Sequence, residues 1–120
     1  MDLKRILIVE DDVLLLKTIS VILKKNGFAT TETANGKQAL EAIKTTDFDL
    51  VLTDLMLPYA NGFEIINNIK KESDHRVPVV IISSAHTEET VLDGFDIGAD
   101  DYLRKPFTPG ELLSRINRLL

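Results

Sequence analysis

The chain has 120 residues, of which 44% are hydrophobic, 28% are charged and none is cysteine. This size predicts one compact domain, residues 1–120, with no room for a second, and the lack of cysteine excludes disulfides, which suits the cytoplasm. A formal net charge of −5 disfavours direct binding to nucleic acid or to an anionic membrane surface.

Short β-rich runs alternate with helical patterns from one end of the chain to the other. The first run, residues 6–9, is too short for a signal peptide or a membrane span and is followed at once by three acids, so it predicts a buried strand. Residues 29–33 keep a polar alternation and predict an edge strand. The predicted strands comprise residues 5–9, 29–33, 50–53, 79–83 and 101–103. Such alternation is typical of an α/β fold, a parallel sheet with helices on both faces.

Five predicted helices follow the five strands. Each has an apolar stripe at helical spacing, which predicts the side that faces the core. The stripes are Leu15, Ile19 and Ile22; Ala39, Leu40 and Ile43; Phe63, Ile66 and Ile69; Val91, Leu92 and Phe95; and Leu112, Leu113 and Ile116. Gly27 and Gly98 predict helix C-caps, and residues 108–111 combine an N-cap threonine, a proline and a capping-box glutamate at the start of the last helix.

Polar side chains follow four of the predicted strands at the point where each strand ends. They are Glu10, Asp11 and Asp12 after the first strand, Asp54 after the third, Ser83 and Ser84 after the fourth, and Lys105 after the fifth. Ligands of open α/β sheets bind beyond the carboxyl ends of the strands, so we expect these side chains to share one rim. Carboxylates packed together repel one another unless a cation lies among them, and Mg²⁺ takes one or two carboxylates plus a phosphate oxygen. The pattern therefore predicts a magnesium site.

Asp54 is the candidate nucleophile of this rim, because a carboxylate forms an acyl phosphate when a metal and a fixed cation neutralise the transferring group. Lys105 is the candidate cation, and Ser84 offers a hydroxyl that donates to a phosphoryl oxygen. Each residue also has an ordinary interpretation: Asp11 or Asp12 as a helix N-cap, Asp54 as a turn residue, and Lys105 as a solvated lysine. The functional hypothesis depends on their occurring together.

The chain resembles response-regulator receiver domains, the CheY-like family, from about Lys4 to Leu119. The resemblance is carried by the acidic opening at residues 6–12, by residues 54–58 with Gly62, and by residues 98–102 with 105–107. The separations also agree: 43 residues from Asp11 to Asp54, 30 from Asp54 to Ser84 and 51 from Asp54 to Lys105. The resemblance implies a flavodoxin-like, doubly wound fold with five parallel strands in the order 2-1-3-4-5, flanked by five helices.

The resemblance also assigns roles in a phosphoryl transfer from a phosphohistidine, with Mg²⁺ as cofactor. It implies Asp54 as the phosphoacceptor and Lys105 as the cation that binds the phosphoryl group, with a cis peptide bond before Pro106. The implied Mg²⁺ ligands are Glu10, Asp11, Asp54 and the backbone carbonyl of Met56. Glu10 replaces the aspartate of many relatives, a variant that recurs in the family.

A switch is implied as well. Ser84 is the expected switch hydroxyl, and Tyr102 is the aromatic residue expected to change rotamer with it. The face formed by the fourth helix, fifth strand and fifth helix is the expected output. Met56 and His86 lie beside the phosphoryl position, and we expect them to tune the lifetime of the phosphoryl group. Such a protein is a signalling switch that catalyses only its own phosphorylation and dephosphorylation, not an enzyme.

The expected partners are a sensor histidine kinase or a phosphotransfer protein, and a second copy of the chain through the output face. Charged residues available for such a homodimer are Asp100, Asp101, Glu111, Arg115 and Arg118. Val91 stands where a basic residue is expected, which weakens this prediction.

Other functions remain as alternatives. A pseudo-receiver is an interaction module that is never phosphorylated, and a receiver domain also occurs within hybrid histidine kinases or as a fragment of a longer regulator. An aspartate-nucleophile phosphatase is disfavoured because its second aspartate, two residues after the nucleophile, is replaced by Met56. A nucleotide-dependent enzyme is disfavoured because neither glycine-rich phosphate-binding motif occurs.

Overall fold

The computed structural model describes residues 3–57, 60–74, 76–84 and 88–120. A five-stranded parallel sheet forms its centre, with the strands in the order β2-β1-β3-β4-β5. The strands are β1 (Arg5–Val9), β2 (Ala29–Thr33), β3 (Leu50–Asp54), β4 (Val79–Ser83) and β5 (Asp101–Arg104). The predicted fold and strand order are confirmed, and β3 and β5 each end one residue later than predicted.

Five helices flank the sheet: α1 (Val13–Lys25), α2 (Gly36–Thr45), α3 (Gly62–Glu72), α4 (Glu88–Ile97) and α5 (Pro109–Leu119). A two-stranded antiparallel hairpin that was not predicted, Met56–Leu57 with Ala60–Asn61, joins β3 to α3. No helix in the described ranges is long and apolar enough to cross a membrane.

The core lies in two layers because side chains alternate between the two faces of each strand. On one face, Ile8, Leu52 and Ile82 pack against α1 and α5. On the other, Val51 and Ile81 pack against the side where α2, α3 and α4 lie. The central strands β3 and β4 are buried throughout, whereas β2 is mostly half-buried, as expected of the predicted edge strand. This alternation also fixes the side to which each residue at the strand ends points.

The helix ends follow the predicted signals. Asp12 is the N-cap of α1, its side chain accepting from the N–H of Leu15 at 3.2 Å. Thr108 and Glu111 form the predicted capping box of α5. Gly27 and Gly98 adopt φ values of +88° and +117°, which L-residues with a side chain rarely adopt. The ends of α1, α4 and α5 are therefore defined locally.

The stripe predicted for α4 is the one that the structure contradicts. Leu92 and Phe95 are 54% and 42% exposed, and the buried residue in the described part of the helix is Gly94. A Cβ atom at Gly94 would lie 2.6 Å from Cδ1 of Ile81 in β4. The helix thus approaches the sheet through a glycine and turns Leu92 and Phe95 outward, while Ile97 at its end packs against the core.

Gly62 allows α3 to begin directly against the backbone that follows Asp54. A Cβ atom at Gly62 would lie 2.5 Å from Cα and 2.8 Å from the carbonyl oxygen of Leu55, which are backbone atoms that cannot rotate away. We therefore expect Gly62→Ala to lower the free energy of unfolding by about 2 kcal/mol, as overpacking does. Urea denaturation measures this value. Gly110→Ala is the matched control, because the nearest atom to its Cβ lies at 3.9 Å and alanine favours a helix; an equal loss in both variants would contradict the prediction.

Candidate functional site

The carboxyl ends of β1, β3 and β5 bring three of the predicted site residues into contact. Asp54 is the last residue of β3, and Glu10 follows β1; both are buried. Lys105 follows β5, and its Nζ donates to Oδ2 of Asp54 at 2.6 Å and also hydrogen-bonds Oε1 of Glu10. One ammonium group therefore serves two buried carboxylates. The Lys105–Pro106 peptide bond is cis, as predicted.

The pKa values of these groups reflect burial and mutual charge. Burial alone would lower the pKa of Lys105, but its hydrogen bonds to Asp54 and Glu10 outweigh this effect, so the pKa is raised. Burial raises the pKa of Glu10, and the negative charge of Asp54 adds to this, against the lowering effect of Lys105 and of the Asp12 N–H. Lys105 therefore stays an ammonium group, and its single positive charge does not balance the two carboxylates.

Asp11 completes an acidic cluster beside this ion pair. One oxygen atom from each of Glu10, Asp11 and Asp54 lies within 4.8 Å of the others, and Asp11 is exposed to solvent. With three carboxylates and one ammonium group, the site has a formal charge of −2, which one divalent cation would neutralise. Hard oxygen donors of this kind suit Mg²⁺. The donor set therefore fits the expected metal.

The main chain of Met56 lies beside the Asp54 carboxylate, because its N–H donates to Oδ1 of Asp54 at 2.9 Å. The Met56 side chain is 67% exposed at the edge of the site. Asp12 caps α1 and its N–H donates to Oε2 of Glu10 at 3.2 Å, so it supports the cluster from outside. His86 and Pro58 lie outside the described residues.

Tyr102 contacts the first of the two serines at the end of β4. Ile82 faces α1 and α5, so the next residue, Ser83, faces the side of α4, where it is fully buried and hydrogen-bonds the Tyr102 side chain. Ser84 is exposed and lies in a groove with Lys105, at the side of α1. The hydroxyl that hydrogen-bonds Tyr102 is thus that of Ser83, whereas the family resemblance pointed to Ser84 as the switch hydroxyl; the switch role of either serine stays a prediction. Counting residues from Asp54 cannot distinguish adjacent serines, whereas the two-residue alternation along β4 would have identified Ser83.

Tyr102 is placed to sense the charge at Asp54. Burial raises the pKa of its hydroxyl, the hydrogen bond from Ser83 lowers it, and the negative charge of Asp54 raises it further. Cδ2 of its ring lies 4.0 Å from the position of a Cβ atom at Gly94. The ring therefore connects the acidic site with the inner side of α4.

Two of the three acids expected to serve the output face, Asp100 and Asp101, make ion pairs within the chain. Oδ2 of Asp101 accepts from Arg118 at 2.6 Å and lies 3.5 Å from Nη1 of Arg115. Asp100 pairs with Lys70 of α3 at 2.7 Å. Leu92 and Phe95 of α4 supply the exposed apolar part of the same face.

The fold and the site together define a class of protein: a flavodoxin-like α/β domain with an acidic, lysine-bridged cluster at the carboxyl edge of its sheet. The chain belongs to the response regulator receiver domain family, whose model matches residues 6–117. It is therefore a receiver domain of a two-component response regulator, a signalling switch and not a conventional enzyme.

Similar proteins support this assignment. The DNA-binding response regulator MtrA of Mycolicibacterium paratuberculosis is 39% identical over 117 residues, which cover 98% of this chain and 51% of that protein. The phosphate regulon transcriptional regulatory protein PhoB of Escherichia coli is 37% identical over 118 residues, covering 98% of this chain and 52% of that protein. The crystal structure of a CheY-like receiver domain protein from Methanospirillum hungatei has a TM-score of 0.93 at 31% identity, covering 98% of this chain and 93% of that chain. The chain spans about half the length of the first two relatives.

Proposed function

We propose that Asp54 accepts a phosphoryl group from a phosphohistidine of a sensor histidine kinase or phosphotransfer protein, in a reaction that requires Mg²⁺. The observation that carries this proposal is the contact of the Lys105 ammonium with Oδ2 of Asp54, beside two further carboxylates. We also propose a cytoplasmic location, which a sequence without cysteine suits.

The residues present account for each part of the transfer. An oxygen of Asp54 attacks phosphorus while the phosphorus–nitrogen bond of the donor breaks, and its electron pair stays on the imidazole nitrogen, which then takes up a proton. Lys105 neutralises charge on the phosphoryl oxygens. Glu10, Asp11, Asp54 and the backbone carbonyl of Met56 would hold Mg²⁺, which when bound supplies further positive charge to those oxygens. Met56 orients the acceptor carboxylate through its N–H.

The acyl phosphate would act on the output face through Ser83 and Tyr102. Phosphorylation adds roughly 1.5 to 2 negative charges and three strong acceptor oxygens. The Ser83 hydroxyl then has an acceptor that competes with Tyr102, and the raised local charge acts on the Tyr102 hydroxyl. When Ser83 and Tyr102 exchange their hydrogen-bond partners, the relative population of two conformations of the α4-β5-α5 face changes.

Incubation of the chain with acetyl phosphate and Mg²⁺ tests the proposed function. Intact-mass measurement should show the addition of one phosphoryl group, its removal by hydroxylamine, which cleaves acyl phosphates, and no addition when EDTA removes the metal. Absence of any addition would favour the pseudo-receiver. Sustained hydrolysis of a generic phosphomonoester such as p-nitrophenyl phosphate would instead favour the phosphatase.

Replacement of each serine separately tests the pairing with Tyr102. Because the hydrogen bond from Ser83 lowers the pKa of the Tyr102 hydroxyl, Ser83→Ala should raise that pKa, whereas Ser84→Ala should leave it unchanged. Ultraviolet absorbance of tyrosinate in a Tyr59→Phe background reports Tyr102 alone, since the chain has two tyrosines. A shift in the Ser84 variant and none in the Ser83 variant would restore the original assignment.

The lifetime of the phosphoryl group should depend on the side chains at its edge. We expect Met56→Asn to change the dephosphorylation rate, because the exposed methionine side chain restricts access of the attacking water and asparagine can bind it. The same measurement applies to His86→Asn. Hydroxylamine-labile phosphate followed over time gives the rates, and unchanged rates in both variants would remove this role.

The output face is the proposed contact with a further partner. A homodimer through α4, β5 and α5 stays a prediction, in which Glu111 is already used in the capping box of α5. The names of MtrA and PhoB describe DNA-binding and transcriptional regulators. For this chain we propose no direct contact with nucleic acid, in keeping with its net charge of −5.

A further inference from the structure

Lys70 is a buried lysine that lies outside the acidic site. Only 4% of the residue is exposed, and its ammonium group donates to Oδ2 of Asp100 at 2.7 Å and to the carbonyl oxygen of Val77 at 2.9 Å. The same Asp100 oxygen accepts from the N–H of Val79 at 2.8 Å. Lysine is almost never fully buried unless it is paired. The Lys70–Asp100 pair therefore joins α3, the start of β4 and the turn that precedes β5.

This turn, residues 98–100, is the C-terminal attachment of α4. The methylene groups of Lys70 lie beside Gly98, since a Cβ atom there would be 3.5 Å from Cγ of Lys70. The N–H of Asp100 donates to the carbonyl oxygen of Val79 at 2.8 Å. The next residue, Asp101, accepts a hydrogen bond from Arg118 of α5 at 2.6 Å. The end of α4 is thus fixed to both α3 and α5.

The middle of α4, residues 92–95, buries little apolar surface. Its large apolar residues Leu92 and Phe95 are exposed, and its middle approaches the sheet at Gly94. The half-buried Ile97, which packs against the core, lies at the C-terminal end of the helix. A glycine buries little apolar surface, so little hydrophobic free energy opposes displacement of this part of the helix. Among the residues whose side chains the structure describes, the Lys70–Asp100 pair and the core contact of Ile97 thus lie at the C-terminal end of α4.

We propose that the Lys70–Asp100 pair is the pivot of α4, so that the helix swings about residues 98–100 when the domain is phosphorylated while this turn stays in place. Lys70 acts through Asp100 and is a positioning residue. The inference rests on the proposed function, because the phosphoryl group supplies the change that moves the helix.

Backbone amide signals in the presence of beryllofluoride and Mg²⁺, a stable phosphoryl mimic, test the pivot. In the wild type, chemical-shift changes should be large for residues 90–94 and several-fold smaller for residues 98–100 and Val79. In Lys70→Met, the amides of Val79 and Asp100 should exchange with solvent at least tenfold faster, and the beryllofluoride response should spread into residues 98–100. Lys71→Met removes a neighbouring exposed lysine and should behave as the wild type.

Two outcomes would overturn the pivot: wild-type changes at residues 98–100 as large as those at 90–94, or a Lys70→Met variant with an unaltered distribution of changes. Asp100→Asn keeps the shape of the side chain and provides a second variant if Lys70→Met does not fold. The comparison of chemical-shift changes between residues 90–94 and 98–100 in the wild type tests the pivot without any variant. A failure of the proposed function is distinguishable, because the amides of Leu55 and Met56 beside Asp54 would then not respond to beryllofluoride.

Discussion

Asp54→Asn should take up no phosphoryl group from acetyl phosphate and Mg²⁺, where the wild type takes up one. The amide that replaces the carboxylate is not a nucleophile towards phosphorus and removes one of the three clustered acids. Intact-mass measurement of both proteins under identical conditions gives the result. This change is expected to have the largest effect of any single substitution in the chain.

Asp12→Asn is the matched control for this experiment. The substitution is the same, but Asp12 is the N-cap of α1, a position that asparagine fills about as well as aspartate. The control should therefore take up phosphate as the wild type does. Uptake by Asp54→Asn, or its loss in both variants, would show that the acceptor lies elsewhere.

Lys105→Met should reduce the rate of phosphoryl uptake by roughly 100-fold to 1,000-fold, the usual effect of removing a group that stabilises developing charge. It should also destabilise the fold. Glu10 and Asp54 are almost fully buried, and breaking a buried ion pair by removing one partner costs about 3 kcal/mol. Addition of Mg²⁺ should recover part of this loss, because a bound cation replaces the missing charge.

Denaturant unfolding with EDTA and with Mg²⁺, over a range of pH, measures this effect. The folded pKa of Lys105 is raised above its ordinary value of 10.5, so its contribution is fully present below that value and is lost as the pH rises through the raised pKa. The wild type should therefore lose stability in that alkaline range, and Lys105→Met should lack this component. Exposed Lys71→Met should retain it; equal stability of Lys105→Met and the wild type at neutral pH in EDTA would contradict the prediction.

The sequence predicted the sheet and the composition of its rim well because both depend on local signals. Apolar runs mark buried strands, and parallel strands place their carboxyl ends at one edge. The fold, the strand order and the cis bond before Pro106 followed from these signals and from the family resemblance.

The failures have tertiary causes. An apolar stripe at helical spacing does not reveal which side of a helix meets the sheet, so Leu92 and Phe95 were assigned to the core although Gly94 makes the contact. The burial of Lys70 depends on Asp100, a residue 30 positions away. The choice between Ser83 and Ser84 depends on strand register, which residue counting ignores.

The internal pairing of Asp101 affects any association through the output face. Arg118 and Arg115 already compensate this carboxylate within one chain. An ion pair formed by Asp101 across a dimer would replace one that already exists within the chain. Dimerisation would therefore gain little free energy from such pairs, and its dissociation constant would depend only weakly on ionic strength. Affinity between two copies would have to come from the exposed apolar side chains of α4, and orientation from the arginines and aspartates.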